Sequence, residues 1–238
     1  VVNPNVLFVL KFQQDDGSFI EQNFIYQNGI VDYMNELVGE NALTPIQYWT
    51  AERVGRDRED RPDYKVKLSV AVCFSNKIKL AEYYHNSSFL EHGGSPKNAV
   101  QRAFTYQLDN YLKNNNKYLK NENKITFNDI EECLVIASSS FSTETSYENQ
   151  TKKSITNKFI QDAMTDFFRK QLEVYFIENK MDADKISNQV LINMRARVKA
   201  ENTRKTLKTS LQSKMDMTNR IQKFVDCRSK DVNEREVF

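Results

Sequence analysis

The chain has 238 residues, of which 39% are hydrophobic and 28% charged, with 15 Phe, 11 Tyr and one Trp. That length accommodates one large or two small domains around a sizeable core, and the composition excludes a chain disordered throughout. Six Gly and four Pro exclude collagen-like and linker-rich designs, and 34 Lys+Arg against 32 Asp+Glu leave a net charge of only +2, which by itself favours neither a nucleic-acid-binding nor an acidic protein.

From the N-terminus, Val6–Phe12 and Ser18–Tyr26 are rich in β-branched and aromatic residues and flank Asp15-Asp16-Gly17, so a β-hairpin is predicted. After Asn28-Gly29, Ile30, Tyr33, Met34 and Leu37 have helical spacing and Gly39 is a stop. Ile46–Val54 and Tyr64–Phe74 read as strands joined by a solvated charged tip, Arg56–Arg61 with Pro62. Ser75-Asn76-Lys77 can turn the second of these into a third strand, Ile78–Tyr84.

Ser95 as cap and Pro96 in the first helical position predict a helix from Pro96 to about Asn114, with an apolar stripe of Val100, Ala103, Phe104, Leu108 and Tyr111. Asp129–Phe141 reads as a turn leading into a strand, and Ser142–Lys153 as a polar loop without periodicity. Thr156 is the expected cap of a second helix with Ile160, Met164, Phe167, Phe168, Leu172 and Tyr175 on one face. Asp182 is the expected cap of a third, with Asp184 in its first turn, unbroken to about Met215. This element order predicts an α+β fold, an α/β sandwich over residues 1–181 followed by a helical, basic arm over 182–238.

The net charge conceals an asymmetry: residues 185–238 hold 13 Lys/Arg against 6 Asp/Glu, whereas residues 1–184 hold 21 against 26. One end of the chain therefore suits a polyanion. Arg195, Arg197, Lys199, Arg204, Lys205 and Lys208 follow one another with only Glu201 to oppose them, and Arg197, Arg204 and Lys208 share a helix face that can meet DNA phosphates. A solvated helix surface is an equal reading of the same strip. Cys73, Cys133 and Cys227 are odd in number and in no C-x-x-C arrangement, which predicts neither a disulfide framework nor a zinc site. No apolar run approaches the roughly 20 residues of a membrane span and no signal peptide is read, so a cytoplasmic protein is expected.

Residues for chemistry are few. His85 and His92 are the only histidines and read as structural or exposed; no P-loop, H-E-x-x-H or G-x-S-x-G occurs. Gly93-Gly94 precedes a helix N-terminus and can either cradle a phosphate or simply admit the chain to the helix. Thr145–Lys153 is a polar strand-to-helix loop tipped with Gln and Lys, of a kind that reaches an anionic ligand or is merely solvated.

Four segments, taken in order, resemble a known family. Glu91-His92-Gly93-Gly94-Ser95-Pro96 is similar to a family pattern E-G-G-T-H, with an inserted His and Ser-Pro in place of Thr-His. Asp129–Leu134 is similar to D-I-R-E-G-L, and Tyr147–Lys152 to F-x-G-Q-T-K, with Q-T-K intact and Asn149 in place of Gly. Ile221–Cys227, Ser229–Val232 and Glu236–Phe238 are similar to L-P-G-K-L-A-D-C, S-K-D-P and E-L-F. The sequence thereby resembles a divergent transducer domain of the bacterial type IIA topoisomerase B subunit, of DNA gyrase and topoisomerase IV alike.

That resemblance implies a ribosomal-protein-S5-like sandwich with a left-handed βαβ crossover and a long C-terminal helix directed toward DNA. It implies that Gln150 and Lys152 contact the γ-phosphate of ATP, bound with Mg2+ mainly by a preceding domain, and that an acidic metal-binding (toprim) module follows Phe238. On this reading the 238 residues are an excised piece of an ATP-hydrolysing isomerase, inactive alone, with no catalytic residue or metal ligand of its own. DNA, a topoisomerase A subunit and a second B subunit are the implied partners. A stand-alone basic nucleic-acid-binding module and an architectural adaptor are the alternatives from other classes.

Overall fold

A computed structural model describes residues 1–218 of the chain, which divide into two compact units, Val1–Met194 and the unit that begins at Arg195. The motif matches from Ile221 to Phe238, and Cys227 with them, lie outside the described residues.

The first unit opens with β1 (Phe8–Gln13) and β2 (Phe19–Phe24), an antiparallel hairpin forming its own two-stranded sheet. Its turn has the predicted chemistry. Gly17 supplies a φ of 83°, Gln14 N–H donates to Ser18 O at 2.7 Å, and the Asp16 carboxylate accepts the Ser18 N–H at 2.9 Å. Next come α1 (Ile30–Val38), ended by Gly39 at φ 48°, and the paired strands β3 (Gln47–Gly55) and β4 (Tyr64–Phe74). Then follow β5 (Leu80–His85), β6 (Ser88–Phe89), β7 (Gly93–Gly94), α2 (Ser95–Asn114), α3 (Phe127–Glu131), β8 (Leu134–Ser142), β9 (Ser154–Ile155), α4 (Lys158–Glu178) and α5 (Lys180–Thr218).

The main sheet has five strands in the order β3-β4-β8-β5-β6. The expected third strand forms as β5, but its partner in the sheet is not β4. The turn at Ser75 forms, its hydroxyl accepting the N–H groups of Lys77 and Ile78, yet β5 does not pair with β4, because β8 lies between them, antiparallel to β4 and parallel to β5. The cause is burial. Leu134–Ala137 of β8 is covered on both faces and needs a central position, while β5 is only half-buried and suits an outer one. β5 and β8 are thus parallel neighbours connected through α2, a βαβ crossover.

One face of the sheet carries the larger core. Phe74 of β4 meets Phe104 of α2, Phe104 meets Phe168 of α4 at 5.7 Å between ring centroids, and Leu108, Leu112 and Leu172 close the layer. Each fully buried side chain of this size stabilises by about 1.5–3 kcal/mol. The opposite face is covered by α1, with Ile30, Met34 and Val38 packed on Ala71, Cys73, Val135 and Ala137. Val38 takes the inner position that the sequence assigned to Leu37, which is 39% exposed.

Three predicted caps move. The cap position of α2 is Gly94; Ser95 is already helical and its hydroxyl donates to Ile155 O instead of accepting a helix N–H. Helix α4 begins at Lys158 with Asn157 at its cap position; Thr156 instead donates to Ser146 O. The capping oxygen comes from the charged run between β3 and β4, where Asp57 accepts the Phe159 N–H at 2.8 Å. Asp57 has therefore turned inward, while the rest of the tip is solvated, with Arg58 paired to Asp60. Asp182 lies inside the first turn of α5 rather than before it, and accepts from Tyr175 Oη. Asp184 pairs with Lys117 at 2.6 Å and accepts from Tyr111, tying α5 to the end of α2. Ala183, Ile186, Val190, Leu191 and Met194 complete the core of the first unit.

Candidate functional site

The 143–153 segment leaves the end of β8, turns, and returns along its own root. Thr156 N–H donates to Ser146 O at 2.8 Å, Glu148 N–H to Ser154 O at 3.0 Å, and Tyr147 bridges Ile155. These bonds close a narrow loop whose tip is Asn149-Gln150-Thr151-Lys152. The Asn149 side chain accepts the Thr151 N–H and hydroxyl, an Asx-type turn, and Lys152 adopts a φ of 58°. Gln150, Thr151 and Lys152 are exposed. The Lys152 ammonium sits 5.6 Å from the centroid of the Tyr147 ring and forms no ion pair among the described residues. Its neighbour Lys153 pairs with Glu91, whose carboxyl that ammonium's hydrogen bond holds below the usual range.

The segments of two sequence motifs meet at this loop. His92 N–H donates to Lys153 O at 3.0 Å, β7 pairs in parallel with β9, and the Ser95 hydroxyl donates to Ile155 O at 3.1 Å. The approach demands glycine: a Cβ on Gly94, which has φ 73°, would lie 2.2 Å from Ile155 O. This geometry decides between the two readings of Gly93-Gly94. Their N–H groups donate to Leu90 O and His92 O, so they serve the entry to α2 and are not open to a phosphate.

The root of the loop is a buried polar network. Asn157 accepts the Ser146 N–H through Oδ1 at 2.7 Å and donates through Nδ2 to Asp57 and to the Tyr64 hydroxyl. On the other side His85, fully buried at the end of β5, contacts Ser140, Ser142 and Thr145. Burial pulls its imidazole down to about 4, so the ring is neutral at physiological pH. The sequence reading of His85 as structural holds, but its link to the loop was not anticipated; the period-two phase with buried Tyr83 was the available signal. The bond between Asp57 and Asn157 carried no local signal, since the two lie 100 residues apart.

Other chemistry is sparse. Burial pushes the Cys73 and Cys133 thiols up to about 12, which keeps them protonated and unreactive. Among the described residues no group of three or more His, Cys, Asp and Glu could hold a metal ion. A polar cavity of about 560 Å³ between the β3–β4 tip and the start of α4 is lined by Arg58, Arg61 and Lys158 but also by Asp57 and Glu144, a mixed lining with no excess suited to a polyphosphate. The loop tip presents one exposed ammonium, Lys152, and one exposed side-chain amide, Gln150.

The predicted basic residues all lie in the second unit, on α5. Arg195, Lys199, Arg204, Lys205 and Lys208 are exposed, and Arg197 pairs with Glu201 at 3.2 Å. At 100° per residue Arg197, Arg204 and Lys208 fall within about 40° of one another, as expected, with Lys199 about 140° or more away. Between them runs an exposed stripe of Ala196, Ala200, Thr203, Leu207 and Leu211. No described helix is long and apolar enough to cross a membrane.

The chain thus combines a five-stranded mixed sheet backed by helices, a glycine turn pinned to a Gln-Thr-Lys loop and a long helix, α5. A family profile for DNA gyrase B matches residues 29–206. The chain belongs to the DNA gyrase B family. Among its relatives are the DNA gyrase B proteins of Metamycoplasma arthritidis, 29% identical over 219 residues that make up 91% of this chain and 34% of that one, and of Campylobacter jejuni, 25% identical over 239 residues, 100% of this chain and 29% of that one. The chain thus spans about a third of the length of the relatives it matches. In fold it is similar to the 43K ATPase domain of Thermus thermophilus gyrase B (TM-score 0.61, 19% identical, 83% of this chain and 51% of that chain). It is similar too to the ATP-binding domain of topoisomerase IV from Francisella tularensis (TM-score 0.57, 16% identical, 80% and 49%).

Proposed function

We propose that this chain is the transducer of an ATP-dependent type II DNA topoisomerase, in which Gln150 and Lys152 contact the γ-phosphate of ATP held by another domain. The observation that carries the reading is the intact Gln150-Thr151-Lys152 on an exposed tip whose root is locked to the sandwich by hydrogen bonds. Lysine suits a terminal phosphate as a compact charge on a flexible stem, and Gln150 supplies an amide N–H donor. ATP, with its Mg2+, supplies the cleavable phosphoanhydride. The loop tip docks while the γ-phosphate is present and is released when it departs, so the sandwich alternates between two placements relative to the nucleotide domain and thereby couples hydrolysis to strand passage.

On the same reading the basic residues of α5, Arg195, Arg197, Lys199, Arg204, Lys205 and Lys208, face DNA phosphates, with Arg197, Arg204 and Lys208 on one face, and the working enzyme is an assembly with an A subunit and a second B subunit in the cytoplasm. In the complete protein assembled with its partner, Lys152→Ala is expected to lower ATP turnover, or its coupling to strand passage, by about tenfold or more. Wild-type supercoiling or relaxation by that variant would sink the assignment.

A further inference from the structure

The hydrogen bonds around His85 can be followed proton by proton. The Ser140 hydroxyl donates to Tyr84 O at 3.2 Å, which leaves its oxygen to accept from His85 Nδ1–H at 2.8 Å. His85 Nε2 then carries a lone pair, and the Thr145 hydroxyl, 2.9 Å away, donates to it. The Ser142 hydroxyl, 3.3 Å from Nε2, spends its own proton on Glu144 O. Asn86 completes the set: its Nδ2 donates to Thr145 Oγ1 at 3.2 Å and to Ser142 O at 2.9 Å, and its Oδ1 accepts the Ser142 N–H. Each donor is then used once or more and no two protons face each other, so the Nδ1–H tautomer of the neutral ring fits all of its partners.

The place of this network matters more than its energy. Thr145 is the last residue held on this side before the excursion to the tip, and the next residue, Ser146, is held by Asn157 from the opposite side. Two consecutive residues of one strand exit are thus tied to β5 and to the start of α4. From them to Lys152 the loop is held by its own backbone bonds, by the Asn149 turn and by the Lys152–Tyr147 contact, none of which reaches back to the sandwich beyond the β9 segment.

We propose that His85 is a positioning residue: through Thr145 it sets the root from which Gln150 and Lys152 reach a nucleotide phosphate. The proposal rests on the phosphate-contact reading above. Misplacement of a reacting or stabilising group by about 1 Å can cost about a hundredfold in rate, so a side chain that fixes the root acts on turnover without touching substrate. The ring itself is fully buried, and hydrogen bonds made by a group shielded from water hold orientation more firmly than exposed ones.

The test uses the complete protein assembled with its partner, with three variants and Lys152→Ala as the reference. Thr145→Val keeps the shape of the half-buried side chain and removes only the hydroxyl; Thr145→Ser keeps the hydroxyl; His85→Phe removes both ring partners. For Thr145→Val the expected result is a loss in kcat for ATP hydrolysis of about three- to tenfold, with ADP affinity, which involves no γ-phosphate, unchanged. Thr145→Ser should restore turnover. In the 238-residue chain, amide exchange at Glu148 and Lys152 should speed up in Thr145→Val while the amides of β4 and β8 keep wild-type protection, which shows that the fold is intact even if His85→Phe fails to fold. Wild-type turnover in Thr145→Val beside an impaired Lys152→Ala overturns the role of His85 alone. Equal losses in Thr145→Ser and Thr145→Val overturn it as well. Wild-type turnover in Lys152→Ala overturns the reading of the loop and the proposal with it.

Discussion

Asp57, in the turn between β3 and β4, accepts the backbone N–H of Phe159 at 2.8 Å and so closes the N-terminus of a helix 102 residues further along the chain. The same carboxylate accepts from Tyr64 Oη and Asn157 Nδ2. A carboxylate at this end of a 21-residue helix also meets the positive end of its dipole. Asp57→Ala should therefore cost about 1–2 kcal/mol of stability, the range for loss of a cap. Urea unfolding measures it, and amide exchange at Phe159 should accelerate more than at Leu172 in the same helix.

Gly94 offers a sharper case. An alanine there would place its Cβ 2.2 Å from Ile155 O and would have to hold a φ of 73°. Backbone cannot yield as a flexible side chain can. Gly94→Ala should cost about 2–4 kcal/mol, combining left-handed strain with loss of the β7–β9 contact. A shift in the urea midpoint at unchanged slope would report it; a change within 0.5 kcal/mol, about the scale of a neutral surface substitution, would show that the turn can relax.

The N-terminal hairpin presents an unusual surface. Phe8, Leu10, Phe12, Ile20 and Phe24 share one face by register and are between 39% and 66% exposed, while Lys11 and Glu21 pair on the other. Contiguous apolar patches of this kind drive association. The 238-residue chain should show concentration-dependent sedimentation, and Leu10→Ser with Phe12→Ser should shift it toward monomer without lowering the urea midpoint of the sandwich.

Local chemistry was legible where neighbours in sequence are neighbours in space. Asp15-Asp16-Gly17 announced the first turn, Ser95-Pro96 the start of α2, and the apolar stripes the inner faces of α2 and α4. What failed did so for long-range reasons. The pairing of β5 was not legible, since β8, buried from both sides, lies between it and β4, and a helix expected to be capped by Thr156 took its cap from Asp57. The Gln150-Thr151-Lys152 tip was visible as a motif. Its supports were not, because His85, Thr145, Asn157 and Asp57 come from four separate segments and none of them forms a local pattern.

His85 also makes a prediction about acid. Its imidazole titrates near 6.5 when unfolded and at about 4 when buried, so the unfolded chain binds the proton more readily between those values. Stability then rises with pH across that window: the contribution is fully present above about 6.5, falls as pH drops, and is lost once the folded form also protonates near 4. The shift corresponds to about 3 kcal/mol, an order-of-magnitude figure. Protonation would also turn Nε2 from acceptor to donor and expel the Thr145 proton from its present bond. Urea unfolding of wild type and His85→Gln from pH 4 to 8 isolates the effect, because every other group titrates in both proteins. The difference between the two curves should tilt by up to about 3 kcal/mol over the window and be flat above pH 7. Parallel curves throughout would mean that the buried ring finds solvent, and that Thr145 is not held by a neutral imidazole.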